Sequence, residues 1–152
     1  MSEYSSGNKP SKEVGIVSNK ELLLQYTRDL LRLKGVQESL AELLVEILWK
    51  ANYDDQIILN ATIKSELGEK MSYSLGTIDN ALTRFVNEGL LVREGRGVYH
   101  PNKTYFWQRM EADQVEQIHL NVSYKKNERT IAMRLKRRNE DEKEWMKKRE
   151  QL

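Results

Sequence analysis

Apolar residues recur at helical spacing over the first half of the chain. Leu22, Leu23, Tyr26, Leu30 and Leu33 form one stripe of a helix running to about Lys34. Ahead of it, Ser18-Asn19-Lys20-Glu21 is a capping-box pattern, in which a hydroxyl and a carboxylate three residues on satisfy free amides reciprocally. Gly35 ends the helix. A second helix is predicted from about Gln37 to Ala51, with Leu40, Leu43, Leu44, Ile47 and Leu48 inward. Asn52 to Asp55 is a turn, and Ile57 to Leu59 a short β-branched strand. Asn60 caps a third, short helix from Ala61 to Leu67, stopped by Gly68. Glu69 to Tyr73 is a turn. Ser72 or Ser74 then caps a fourth helix ending at Glu88-Gly89, whose inward positions are Leu75, Ile78, Leu82, Phe85 and Val86. Leu90 to Glu94 is a strand, Gly95-Arg96-Gly97 a tight turn with two glycines free to take positive φ, and Val98 to His100 the returning strand. Pro101-Asn102 closes the hairpin.

This order is that of a winged helix-turn-helix with residues 37–101 as its body. The expected fold class is α+β, mostly helical, with an extra N-terminal helix and a charged C-terminal helix. The aromatic run Tyr105-Phe106-Trp107 is expected to pack onto the body. Ile118, Leu120, Val122 and Tyr124 alternate with His119, Asn121 and Ser123, the signature of a half-buried strand. Its partner is either the wing sheet or a second copy across a dimer axis. From about Glu128 the chain reads as a charged helix, with Arg138/Glu142 and Glu144/Lys148 as i,i+4 pairs. The expected organisation is a disordered leader (1–17), a winged-helix domain (18–124) and a helical basic tail (125–152).

Composition sharpens this picture. Of 152 residues, 32% are charged, against roughly 25% in an average soluble domain. The net charge is only +2, but residues 125–152 carry eleven Lys/Arg against six Asp/Glu, and residues 1–124 fourteen against seventeen. An acidic body with a basic end raises the expectation of a polyanion partner. The absence of cysteine excludes a disulfide framework or thiol nucleophile and fits a cytoplasmic protein. No apolar run passes about four residues, far short of the roughly 20 of a membrane helix.

Little in the sequence suggests catalysis. His100 and His119 are the two histidines, and neither sits in a metal-spacing motif. There is no nucleophile elbow and no Walker-type loop, so no enzyme activity, metal or cofactor is expected.

The polar face of the fourth helix holds the candidate chemistry. If its apolar stripe faces the core, Ser74, Thr77, Asn80, Thr83 and Arg84 lie opposite, on a helix that the DNA major groove can admit. Ser74 and Thr77 suit phosphate at the helix N-terminus. Asn80 suits a bidentate contact to adenine, and Arg84 a guanine edge or phosphate. Asp79 is read as favouring the helix N-terminus. The hairpin adds Arg93, Arg96, Tyr99 and Lys103, with Arg96 at its tip placed for backbone or minor groove.

Thr77-Ile78-Asp79-Asn80-Ala81-Leu82, Asn87-Glu88-Gly89-Leu90-Leu91-Val92-Arg93 and Gly95-Arg96-Gly97-Val98-Tyr99 with Pro101-Asn102 together resemble the winged-helix segment of RepL-type plasmid and phage replication proteins. The likeness covers about 50 residues. It implies origin or operator DNA binding by a plasmid, phage or mobile-element protein. The spacing from Glu69 to Gly76 is longer than that family's, through a longer turn or an extra turn at the start of the fourth helix. The expected function is sequence-specific binding of double-stranded DNA in replication initiation or transcriptional regulation. A homodimer is expected through Leu22, Leu23, Tyr26, Leu30 and Leu33. The alternative is a protein-interaction or packaged phage structural module without sequence-specific DNA binding.

Overall fold

The structure, a computed structural model, describes residues 19–107 and 114–137. The leader, the Ser18 cap and everything beyond Arg137, including the Arg138/Glu142 and Glu144/Lys148 pairs, lie outside the described residues. Among the described residues the fold is α+β. In order it comprises α1 (Asn19–Leu33), a 3-10 turn (Glu38–Leu40), α2 (Ala41–Leu48), β1 (Ile57–Ile58), α3 (Ala61–Met71), α4 (Leu75–Asn87), β2 (Leu91–Gly95), β3 (Val98–Pro101), β4 (Val115–Lys125) and β5 (Glu128–Arg137). The strands form two antiparallel sheets, ordered β1-β3-β2 and β4-β5.

One apolar core joins the helices to the first sheet. Leu30 and Leu31 of α1, Leu43, Leu44 and Ile47 of α2, and Ile78 and Phe85 of α4 are fully buried, as are Leu90 and Leu91. Each such side chain contributes about 1.5–3 kcal/mol of transfer free energy. Tyr26 anchors the aromatic run as expected: its hydroxyl donates to the Tyr105 carbonyl at 2.6 Å, and its ring meets Phe106 edge-on at 6.1 Å. Burial raises the Tyr26 pKa above its ordinary value, so the phenol stays protonated and keeps donating.

Left-handed residues set where the helices stop. Gly35 and Gly89 take φ of +74°, and each closes a reciprocal pair of backbone bonds, Val36 N–H to Leu31 O and Leu90 N–H to Phe85 O completing them. Ser72 does the same for α3 at φ +60°, with Tyr73 N–H donating to Gly68 O at 2.8 Å.

Several expectations need correction. α3 does not stop at Gly68 but runs to Met71. The long spacing before α4 is therefore spent on a longer third helix, not on the turn or the start of α4. Gly68 serves close approach instead: a Cβ there would lie 2.7 Å from the Tyr73 carbonyl oxygen. α2 ends at Leu48, short of Ala51. Leu75 is 55% exposed because it opens α4, ahead of the turn that packs. Of the expected strand from Leu90, Leu90 and Leu91 are buried at the turn out of α4, and β2 is exposed from Val92 onward. In the Gly95-Arg96-Gly97 turn, Gly97 takes positive φ and Gly95 does not. Leu23, Tyr26 and Leu30 are buried in the chain's own core, which removes them as a free dimer surface.

The largest correction concerns the C-terminal part. Residues 128–137 are a strand, not a helix, and the partner of β4 is β5 within the same chain, neither the first sheet nor a second copy. Ile118↔Leu135, Leu120↔Met133 and Val122↔Ile131 stand opposite one another on one face of the ribbon. Ile118, Leu120, Ile131 and Met133 pack half-buried against the core. The boundary expected between domain and tail at residue 124 thus falls inside a hairpin.

Glu46 ties three helices. Lys20 of α1 and Lys70 of α3 reach it at 2.7 and 2.8 Å. Burial pushes its carboxyl up, but hydrogen bonds from Lys20 and Lys70 outweigh this and hold its pKa below the usual value. A lowered folded pKa means stability that is present above the unfolded value of about 4.3 and lost as pH falls through the folded one. Glu46→Gln should therefore lower the melting temperature at neutral pH and flatten its fall below pH ~4.5, in a melting series across pH.

Gly68→Ala tests the close approach. In an ordinary helix interior this change stabilises by about 0.5–1 kcal/mol. Here the sign should reverse, to a loss of about 1–3 kcal/mol from overpacking. A lower urea midpoint at unchanged slope is the expected reading, and an unchanged or higher midpoint refutes the close contact.

Candidate functional site

α4 starts where Ser74 turns from extended backbone into helix. The Ser74 hydroxyl accepts from Thr77 N–H at 3.1 Å and lies 2.9 Å from the Thr77 hydroxyl. One helix-end amide is thereby satisfied from within. Ile78, Ala81, Leu82 and Phe85 are buried, so the opposite arc faces solvent with Gly76, Asn80, Thr83 and Asn87 at its centre. Asn80 is exposed at mid-arc. Thr83 is exposed too, although its hydroxyl bonds back to the Asp79 carbonyl at 3.1 Å.

The two edges of that arc differ. On one, Asp79 pairs with Lys64 of α3 at 2.9 Å. The carboxylate is thus compensated from a neighbouring helix, whereas the sequence suggested a role at its own helix N-terminus. A groove of about 390 Å3 runs along this edge, lined by Lys64, Asp79, Thr83, Asn87, Arg93 and the edge of Tyr99 among others. On the other edge, Arg84 donates to the Gly35 carbonyl at 3.0 Å and sits 3.7 Å from Glu88. Arg84, half-exposed, is thus engaged with the turn that ends α1, where the left-handed Gly35 presents its carbonyl.

The β2–β3 hairpin stands beside the groove. β1 extends it as a third strand beside β3, through Ile57↔Tyr99 and Ile58↔Val98, and Leu59 N–H donates to Gly97 O at 2.8 Å. Arg93 faces the groove, with its Nε on the Gly95 carbonyl at 3.2 Å across a register shift in the hairpin. Arg96 is exposed at the tip. Tyr99, also expected to contact DNA, is only 7% exposed and forms part of the core, because its strand position points inward with Ile57. Lys103 is exposed but lies past Asn102, whose amide holds Gly89 O at 2.6 Å, at the opposite end of the hairpin from Arg96. Ser74 and Thr77 thus meet at the start of α4, Asn80 and Thr83 lie along its exposed arc, and Thr83 shares the groove with Arg93 and the largely buried Tyr99, while Arg84 turns to the end of α1 and Arg96 and Lys103 sit at opposite ends of the hairpin. The structure adds Lys64 and Asn87, which sequence reasoning missed: a single lysine in a short helix carries no pattern of its own.

Chemically the surface offers hydroxyls, the carboxamides of Asn80 and Asn87, the Lys64 ammonium and guanidinium groups along the groove. These are hydrogen-bonding and charge-pairing groups. No helix among the described residues is long and apolar enough to cross a membrane. Compared with protein-family models, curated proteins and solved structures, the chain matches none.

Ser74→Ala should cost about 1 kcal/mol in denaturant unfolding through loss of the cap. Ser74→Asp should recover that stability, since aspartate caps equally well. Equal instability of both variants would show that the hydroxyl pair with Thr77, not the cap, is what matters.

Proposed function

We propose that the chain is a winged helix-turn-helix protein that binds double-stranded DNA sequence-specifically, in replication initiation or transcriptional control. In this reading α4 enters the major groove and the β2–β3 hairpin is the wing. The observation that carries it is the exposed arc of α4. It is polar and small at its start, presents Asn80 at its centre, and has its one acid, Asp79, compensated by Lys64, while Arg93 lines the groove beside it and Arg96 is exposed at the hairpin tip. An uncompensated carboxylate there would repel phosphate. The wide major groove admits a helix of this kind, and asparagine matches the N6/N7 edge of adenine. Arg96 at the tip suits backbone or minor groove. The likeness to RepL-type proteins agrees with this reading, with an origin or operator as target.

The rival reading is a protein-docking module. It draws on Ile58 and Val92, which are 49% and 39% exposed on the outer face of the first sheet.

Binding to selected and random duplexes at two salt concentrations separates the readings. Neutralising about four phosphates predicts roughly a hundredfold loss of affinity between 50 and 200 mM salt. Asn80→Ala should relax discrimination between selected and random duplexes by about 1–3 kcal/mol. Arg96→Ala should weaken both alike. Absence of DNA binding at low salt would leave the docking module.

A further inference from the structure

The β4–β5 ribbon is longer than its packing requires. A two-stranded hairpin alone is marginally stable in water, and this one is held by the apolar pairs nearest its base. Beyond Val122 and Ile131 the packing stops. Residues 123–130 are all exposed, and Tyr124 is 73% exposed. That end carries Lys125, Lys126 and Arg129 against a single acid, Glu128, which lies 4.0 Å from Lys125. Lys125 and Lys126 on this exposed, cationic tip of an otherwise acidic body pack against nothing in the core.

Arg129 of β5 donates to the Leu33 carbonyl at 2.7 Å. Arg84 of α4 donates to the Gly35 carbonyl, two residues on in the same turn, at 3.0 Å. The ribbon tip and the Arg84 edge of α4 therefore meet at the end of α1. The opposite edge of α4, at Asp79, faces Lys64 and Arg93. α4 thus lies between two basic arms, the β2–β3 hairpin on one side and the ribbon tip on the other.

We propose that the tip of the β4–β5 ribbon is a second DNA-binding element, gripping the phosphate backbone on the flank of α4 opposite the wing. This rests on the DNA-binding reading above. Lys125 and Lys126 meet phosphate oxygens as point charges, and Tyr124 supplies a hydroxyl donor beside them. Contacts of this class fix register and add affinity without reading sequence. The partner is the duplex already held by α4, because the tip is continuous with that surface through the α1 turn. Arg129 holds the ribbon in place by its bond to Leu33 and is a positioning residue.

The test uses the full chain and the variant Lys125→Ala/Lys126→Ala. Both side chains are exposed, so its melting temperature should match wild type. The probes are a duplex selected by wild type from random-sequence DNA, and a random duplex of equal length. Removing two phosphate contacts should flatten the slope of log K against log salt by about 1.8. The affinity lost between 50 and 200 mM salt then shrinks about tenfold. The preference for selected over random duplex should stay as in wild type, unlike in Asn80→Ala. An unchanged slope in the double variant overturns the proposal while leaving the DNA-binding reading intact. Loss of binding to phosphatidylserine vesicles with an unchanged DNA slope also overturns it, in favour of a lipid surface. A wild-type chain that binds no DNA overturns both readings.

Discussion

The outward-facing chemistry depends on how α1 ends. Gly35 reverses the backbone there, which leaves the carbonyls of Leu33 and Gly35 at the negative end of a helix. Arg129 and Arg84 each take one of them, and Lys34 from the same turn reaches across to the Glu88 carbonyl at 2.7 Å. Two cations, from α4 and β5, are thereby fixed at the end of α1, and a third, Lys34, at the end of α4. The Lys34 bond is part-buried, and hydrogen bonds to charged donors of that sort are worth about 1.5–3 kcal/mol, whereas the two exposed arginine bonds are weakened by solvent screening. The rotation of α4 itself is set by burial of Ile78, Ala81, Leu82 and Phe85, which turns the Asn80 arc away from the core.

Compensation of acids follows the same economy. Glu46 holds Lys20 and Lys70, Asp79 holds Lys64, and Glu94 lies 3.5 Å from His100 and 3.3 Å from the Gln56 amide. Exposed pairs contribute at most about 1 kcal/mol each, so their main consequence is electrostatic rather than structural. Three carboxylates on or near α4 and the first hairpin, Asp79, Glu88 and Glu94, have such neighbours, Glu88 beside Arg84. Arg96, Lys125 and Lys126 stay at exposed tips. A chain of near-zero net charge can in this way present local positive potential, which total charge conceals.

The sequence made the elements up to Asn102 legible because each had a local mark: glycines at 35 and 89, the Asn60 and Ser74 caps, and the Gly95-Arg96-Gly97 turn. Side-chain destinations were less legible. Arg84 and Tyr99 have the residue types of DNA contacts, but a distant carbonyl claims one and the core of the sheet the other. Neither fact has a signal in local spacing. Lys64 enters the site through Asp79, fifteen residues away, a pairing that becomes visible only when α3 and α4 cross. Gly68 was misread because glycine marks both helix stops and close approach. Here Ser72, a residue with an ordinary side chain, took the left-handed stop instead.

The ribbon was the part most open to a different reading. Arg129, Ile131, Met133 and Leu135 alternate with Thr130, Ala132, Arg134 and Lys136, which is strand periodicity as clear as that of residues 118–124. Its residues are nevertheless good helix formers, and Lys125 to Glu128 contains no glycine to announce a tight turn. Intrinsic preference favoured a helix, and tertiary context favoured a strand. Leu120 and Val122 of β4 leave an apolar half-face that a strand can complete residue for residue with Met133 and Ile131, whereas a helix would bring its apolar residues there only once per turn. The same alternation that buries Ile131 and Met133 sets Thr130 and Ala132 outward, and the register places Lys125 opposite Glu128 at the tip. As a solvated helix, those cations would be spread around a cylinder. As a ribbon, they are gathered at one end and anchored by Arg129 to the same α1 turn that Arg84 of α4 reaches.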